Sequence, residues 1–130
     1  MIFKGIEIRF NCKNKEQYEN IGLFWDYMRK AYPGIQLRGL GYSWADDSLG
    51  YVIGDYEHSI QFDIEEIKKQ YPSALYVEIN LPDNGWQTFS CHINGLGQLY
   101  DQIYKDGVLD YEIEEIHSDG NCKISILRLS

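Results

Sequence analysis

Basic residues are scarce in this chain: 12 Lys and Arg stand against 20 Asp and Glu, a net charge of −8. Nucleic-acid binding draws much of its affinity from cations meeting phosphates, so no direct contact with DNA or RNA is expected. An acidic field favours the approach of cations instead. Cysteine is also rare. Cys12, Cys91 and Cys122 are odd in number, widely spaced and without a CxxC, which speaks against a disulfide framework and suits a reducing cytoplasm. His58, His92 and His117 have no ligand-like spacing to one another or to cysteine, so no metal site is expected. His92 follows Cys91 directly, and strand neighbours point to opposite faces, which argues against a Cys–His nucleophile pair. No apolar run approaches the ~20 residues of a membrane span, and no basic segment followed by an apolar stretch opens the chain. Neither membrane insertion nor export is indicated. There is no GxxxxGK loop, and GLG at 39–41 and 95–97 is too short to cradle a phosphate, so no cofactor is expected.

Aromatic side chains, by contrast, are abundant: eleven Tyr, three Trp and five Phe make up 15% of 130 residues. Tyr and Trp bury area while keeping a polar handle, which suits pocket walls as well as cores. With 44% hydrophobic residues the chain can bury one core, and a single domain over 1–130 is expected.

The order of elements follows from periodicity. KGIEIRFNC (4–12) alternates Ile6, Ile8 and Phe10 with Glu7 and Arg9, a half-buried strand. Asn14 and Gln17 approximate a capping box for a helix running to about Ala31, with Tyr18, Ile21, Trp25, Met28 and Tyr32 on one stripe. Trp25, in mid-stripe, is expected in the core. Pro33-Gly34 ends the helix. IQLRGLGYSW (35–44) and GYVIGDYEHSI (50–60) read as strands joined by ADDSL. DIEEIKKQY (63–71) is a short helix, ALYVEINL (74–81) a strand, Pro82–Gly85 a turn, and WQTFSCHI (86–93) a further strand. Asn94 is placed to cap a helix over about 95–105 carrying Leu96, Leu99, Tyr100 and Ile103. Strands at 109–118 and 122–130, joined by the turn DGN, close the chain.

One stretch occurs twice. GLFWDYMRKAY (22–32) aligns without gaps to GQLYDQIYKDG (97–107), an offset of 97 − 22 = 75, with Gly, Asp and Lys identical at three positions. The surrounding order, strand-helix-strand-strand, also repeats. The expected fold is therefore α+β: a pseudo-twofold duplication of a β-α-β-β unit, with antiparallel sheets, two long helices on one face and a cleft at the seam. The first half spans about 1–60, a connecting helix 63–71 and the second half 74–130. Interfaces between substructures are natural places for ligand sites.

These motifs resemble the GyrI-like effector-binding family, the ligand-sensing class found beside AraC-type regulators. GIEIRFN…NKEQYENIGLFWDYM is similar to its opening strand and helix, GLGYSWADDSLGYVIGDYE to its hairpin, and YVEINLPDNGWQTFSCHINGLGQLYDQIY to its strand pair and second helix. CKISILRLS resembles its last strand. The likeness covers nearly the whole chain, without a helix-turn-helix region before residue 1. It implies a stand-alone cytoplasmic protein that senses or sequesters an amphipathic, cationic or aromatic compound, linked to transcription regulation or drug resistance. The family also includes hydrolases of reactive alkylating compounds and a protein regulator of DNA gyrase, so a hydrolase using a pocket Glu as base, or a protein partner, are the alternatives it implies.

The same resemblance implies a buried Glu in the strand after the second helix, within an aromatic box. DYEIEEIH (110–117) occupies that place, with Glu112 the first candidate; Glu115 takes the role under a shifted register. Alternation puts Glu112 and Glu114 on one face and Tyr111, Ile113 and Glu115 on the other. Tyr42 and Trp44, expected on one face of their strand, with Tyr56 from the hairpin partner, Trp86 and Tyr111, are the candidates for the box. A buried carboxylate lacking a cation is costly, and aromatic faces attract cations by roughly 0.5–2 kcal/mol each. Such a box would favour bulky or planar cations.

Overall fold

The computed structural model describes residues 1–12, 16–45, 47–56, 60–107 and 109–128. In chain order they form β1 (Ile2–Asn11), α1 (Glu16–Ala31), β2 (Arg38–Ala45), β3 (Ser48–Tyr56), α2 (Ile64–Gln70), β4 (Leu75–Asn80), β5 (Gln87–His92), α3 (Leu96–Lys105), β6 (Tyr111–Ile116) and β7 (Asn121–Leu127). The fold is α+β, with one seven-stranded sheet ordered β4-β1-β3-β2-β6-β7-β5 and every neighbouring pair antiparallel. No helix among the described residues is long and apolar enough to cross a membrane.

Side chains in register share a face, so rows can be followed across the sheet. One row runs Ile6, Ile53, Gly39, Glu114, Ile124 and Phe89; the next holds Ile8, Tyr51, Gly41, Glu112 and Ile126. Both are apolar on either side of a middle of glycine and glutamate, apart from exposed Gln87, which ends the second row in β5. The helices follow this pattern. Phe24, Trp25 and Met28 of α1 pack on Ile6, Ile8, Phe10 and Ile53 at one flank, and Ile103 of α3 packs on Ile124 and Ile126 at the other. Each buried side chain of this size is worth about 1.5–3 kcal/mol. The middle rows have no apolar surface for a helix to cover.

The opposite face holds Phe3, Leu40, Val52, Leu81 and Ile113. It is crossed by the segment from Leu81 to Trp86, whose indole Nε1 donates to Pro82 O at 2.8 Å. The turn at Pro82–Gly85 is thus not a hairpin: β4 pairs with β1 at one edge, β5 with β7 at the other. Burying Leu81 and half-burying Trp86 on this face directs the chain across it.

Capping departs from expectation at α3. Asn14 lies outside the described residues. Asn94 does not cap α3; it sits in a 3-10 turn, Ile93–Gly95, where its own N–H donates to His92 Nδ1 at 3.3 Å. The α3 N-cap is Gly95, without a side-chain bond. Asp63 caps α2 by accepting from Glu66 N at 3.1 Å, with Glu65 and Glu66 at its first turn and Lys68 and Lys69 at its last.

Candidate functional site

Between α1 and α3, above the glycine–glutamate middle of the sheet, lies a cavity of about 1080 Å³. Its walls are occupied by helix positions 75 apart in the chain: Ile21 and Leu96, Gly22 and Gly97, Trp25 and Tyr100, Asp26 and Asp101, Arg29 and Tyr104. Its floor includes Gly41, Tyr51, Glu112 and Glu114, and Trp44 and Leu49 help to close it. Tyr18, Leu23, Ile93 and Tyr104 line it while remaining 39–57% exposed, an apolar rim around an acidic floor.

Glycine makes the floor possible. Directly above Gly39 lies the Tyr51 hydroxyl, where a Cβ would have to sit, and that Cβ would also come within 3.0 Å of Trp25 Cζ2. Tyr51 leans over β2, accepts from Trp25 Nε1 at 2.9 Å and donates to Glu114 Oε1 at 3.4 Å. Tyr100 donates to Glu114 Oε2. Tyr104 donates to Glu112 Oε2 at 2.8 Å. Three tyrosine hydroxyls therefore serve two carboxylates.

Burial dominates the electrostatics. Glu112 is 7% exposed. Loss of water, then the neighbouring Glu114, push its pKa up to about 7, against smaller downward pulls from Tyr104 and Tyr100. Burial raises Glu114 as well, opposed by the hydrogen bonds from Tyr100 and Tyr51 and by Arg29. Arg29 is itself placed over the Trp25 ring at 4.7 Å and beside Asp26 at 4.0 Å. No ion pair to Glu112 or Glu114 is formed among the described residues.

The other face supplies the contrast. There Glu115 accepts from Arg38 Nε at 2.6 Å and pairs with His117 at 2.8 Å, while Arg38 also binds Asp55 and stacks over Tyr56 at 5.4 Å. Burial raises the Glu115 pKa, but His117 and Arg38 outweigh it and the net shift is downward. Here the chain provides its own cation. At the cavity floor it provides hydroxyls.

Of the residues singled out from sequence, Glu112, Glu114 and Trp44 line the cavity. Glu115, Tyr42, Tyr56, Trp86 and Tyr111 do not join them. The last four do assemble, with Tyr42 stacked on Tyr111 at 6.5 Å and Trp86 6.3 Å from Tyr111, but on the opposite face. Tyr42 and Trp44 separate because the pairing of β2 with β3 shifts register between Tyr42 and Ala45, and Ser43 takes a φ of +53°. That irregularity turns Trp44 to the cavity, 3.4 Å from where a Cβ of Gly41 would be. Trp25 packs in the core as expected and also lines the cavity. Periodicity does not mark Tyr51, Tyr100 and Tyr104 as site residues. The repeat carried the signal: Tyr100 and Tyr104 are the counterparts of Trp25 and Arg29 and occupy successive turns of α3.

His58 lies outside the described residues, and no group of three His, Cys, Asp or Glu among the described residues could hold a metal ion. Neither a protein-family model, a curated protein nor a solved structure matches the chain.

Proposed function

We propose that this protein binds an amphipathic cation in the cavity between α1 and α3, with Glu112 as its counter-ion. One observation carries the reading: Glu112 is buried at the floor of an aromatic cavity, hydrogen-bonded by a tyrosine and, among the described residues, without an ion-pairing basic side chain. A permanently buried carboxylate of this kind is destabilising unless something compensates it. An entering cation would restore ionisation, and the rings of Tyr18, Trp44 and Tyr104 offer faces for its apolar part. The exposed apolar rim is what an amphipathic molecule would cover.

We read the chain as two copies of a β-α-β-β unit, β1-α1-β2-β3 and β5-α3-β6-β7, meeting at the β2–β6 pair. The strand order β1-β3-β2 followed by β6-β7-β5 supports this, since the second half reads as the first reversed. So does the pairing of Gly39 with Glu114, residues separated by the helix repeat's own offset of 75. This matches the duplicated organisation of the GyrI-like effector-binding class that the sequence resembles. Sensing or sequestering a drug-like compound is the role that resemblance favours.

Rhodamine 6G, a bulky aromatic monocation, is a suitable probe. Glu112→Gln is expected to weaken its binding at least about tenfold, equivalent to roughly 1.4 kcal/mol. A neutral aromatic ligand of similar size should lose less. Fluorescence anisotropy reads both; equal losses, or no loss, would remove Glu112 from the role.

A further inference from the structure

The floor carries two carboxylates, not one. Glu112 and Glu114 project from the same face of β6 two positions apart, a separation of roughly 7 Å along the strand. Each has its own hydroxyl donor, Tyr104 for Glu112 and Tyr100 for Glu114. A hydroxyl satisfies a lone pair and leaves the net charge in place. Arg29 reaches Glu114 only through its field, since its guanidinium stacks on Trp25 and neighbours Asp26. Asp101 and Glu19 add further negative charge to the lining, and Arg29 is the single basic residue among the described lining residues. Gln17 Oε1, in the same lining, is a buried acceptor without a partner among the described residues. A monocation would pair with one floor carboxylate and leave the other facing the cavity without an ion-pair partner among the described residues.

From this pair we infer that the preferred ligand is a dication, an aromatic or aliphatic scaffold with two positive centres spaced to meet Glu112 and Glu114 together. The inference rests on the proposed binding of cations in this cavity and specifies the class that the floor selects. Opposite charges brought within about 4 Å in a partly dry site interact by several kcal/mol, so satisfying the second carboxylate outweighs an added contact with a ring.

Two quaternary ammonium probes test this without titrating themselves: p-xylylene-bis(trimethylammonium) and (4-methylbenzyl)trimethylammonium. Each is competed against rhodamine 6G at pH 8, near physiological salt. The bis-ammonium compound is expected to displace the dye at a concentration at least about tenfold lower, roughly 1.4 kcal/mol. In Glu114→Gln, and likewise in Glu112→Gln measured directly by calorimetry, that advantage should shrink to about the twofold expected of two identical ends. Equal displacement by the two probes overturns the dication inference and leaves cation binding intact. An advantage that survives in both variants also overturns it, because the overall acidic field would then be responsible. Failure of all three cations to bind the wild-type protein overturns the reading beneath it. The wild-type comparison needs no variant, so poor folding of either substitution leaves the inference open to refutation.

Discussion

Gly39 has no side chain, and the Tyr51 hydroxyl occupies the space that a Cβ would need. That close approach lets Tyr51 link Trp25 to Glu114. Gly39→Ala must push the ring aside in a site where Trp25 blocks the alternative, so both hydrogen bonds are lost and the core is overpacked. We expect destabilisation of about 1–3 kcal/mol, measured as a lower urea midpoint with an unchanged m-value. An alanine variant as stable as the wild type would mean that Tyr51 has another resting place. The same scale accounts for what was legible in Glu112 and Glu114. Strand alternation alone puts them on one face and Glu115 on the other. Their tyrosine partners are harder to read: Tyr100 shares an amphipathic stripe with Leu96, Leu99 and Ile103 that reads equally well as core, and only the repeat aligns Tyr100 and Tyr104 with Trp25 and Arg29.

At the scale of elements, β2 is where a regular pattern gives way. Its alternation holds through Tyr42, then Ser43 enters the left-handed region at φ +53° and the register with β3 shifts. The departure is held by Arg9, which donates from Nε to Ser48 Oγ at 3.1 Å and reaches the Ser43 carbonyl. A bulge of this kind leaves little trace in composition, so alternation alone places Trp44 on the face of Tyr42. The consequence is functional, since the bulge delivers Trp44 to the cavity. A β-branched residue tolerates positive φ poorly, costing about 1–2 kcal/mol. Ser43→Val should therefore destabilise the protein by that amount, whereas Ser43→Gly should not. Chemical denaturation of the two variants side by side decides it, and equal stabilities would mean that the bulge does not depend on this conformation. The turn at Pro82–Gly85 illustrates a similar limit. Its residues specify that the chain bends, while the destination of β5, at the far edge of the sheet, is set by long-range pairing with β7.

For the whole molecule, the order of strands and helices was readable from periodicity, and the strand order within the sheet was not. Periodicity reports which face a residue buries, whereas strand order depends on partners distant in sequence. What the assembled sheet adds is an energetic conflict at its centre: two acids held where apolar rows would have continued, with glycine opposite. That conflict must appear in the pH dependence of stability. Glu112 titrates near 7 in the folded protein against an ordinary value of 4.5. A carboxyl with a raised folded pKa binds more protons in the native state between those values, so stability is fully present below about 4.5 and is lost as the pH rises through about 7. At roughly 1.4 kcal/mol per pH unit the Glu112 contribution amounts to about 3 kcal/mol, and Glu114 shifts in the same direction. The downward-shifted Glu115 acts oppositely, its contribution fading in acid, so the informative quantity is the difference between wild type and Glu112→Gln. Relative to wild type, the variant should gain roughly 2–3 kcal/mol in unfolding free energy between about pH 5 and pH 8, with urea titrations at each pH as the measurement. A saturating cation should remove that gain by stabilising the wild type at the alkaline end. A wild-type-to-variant gap that stays constant across this range would mean that Glu112 ionises there as freely as a surface carboxylate, and the cavity would have no charge deficit for a ligand to repair.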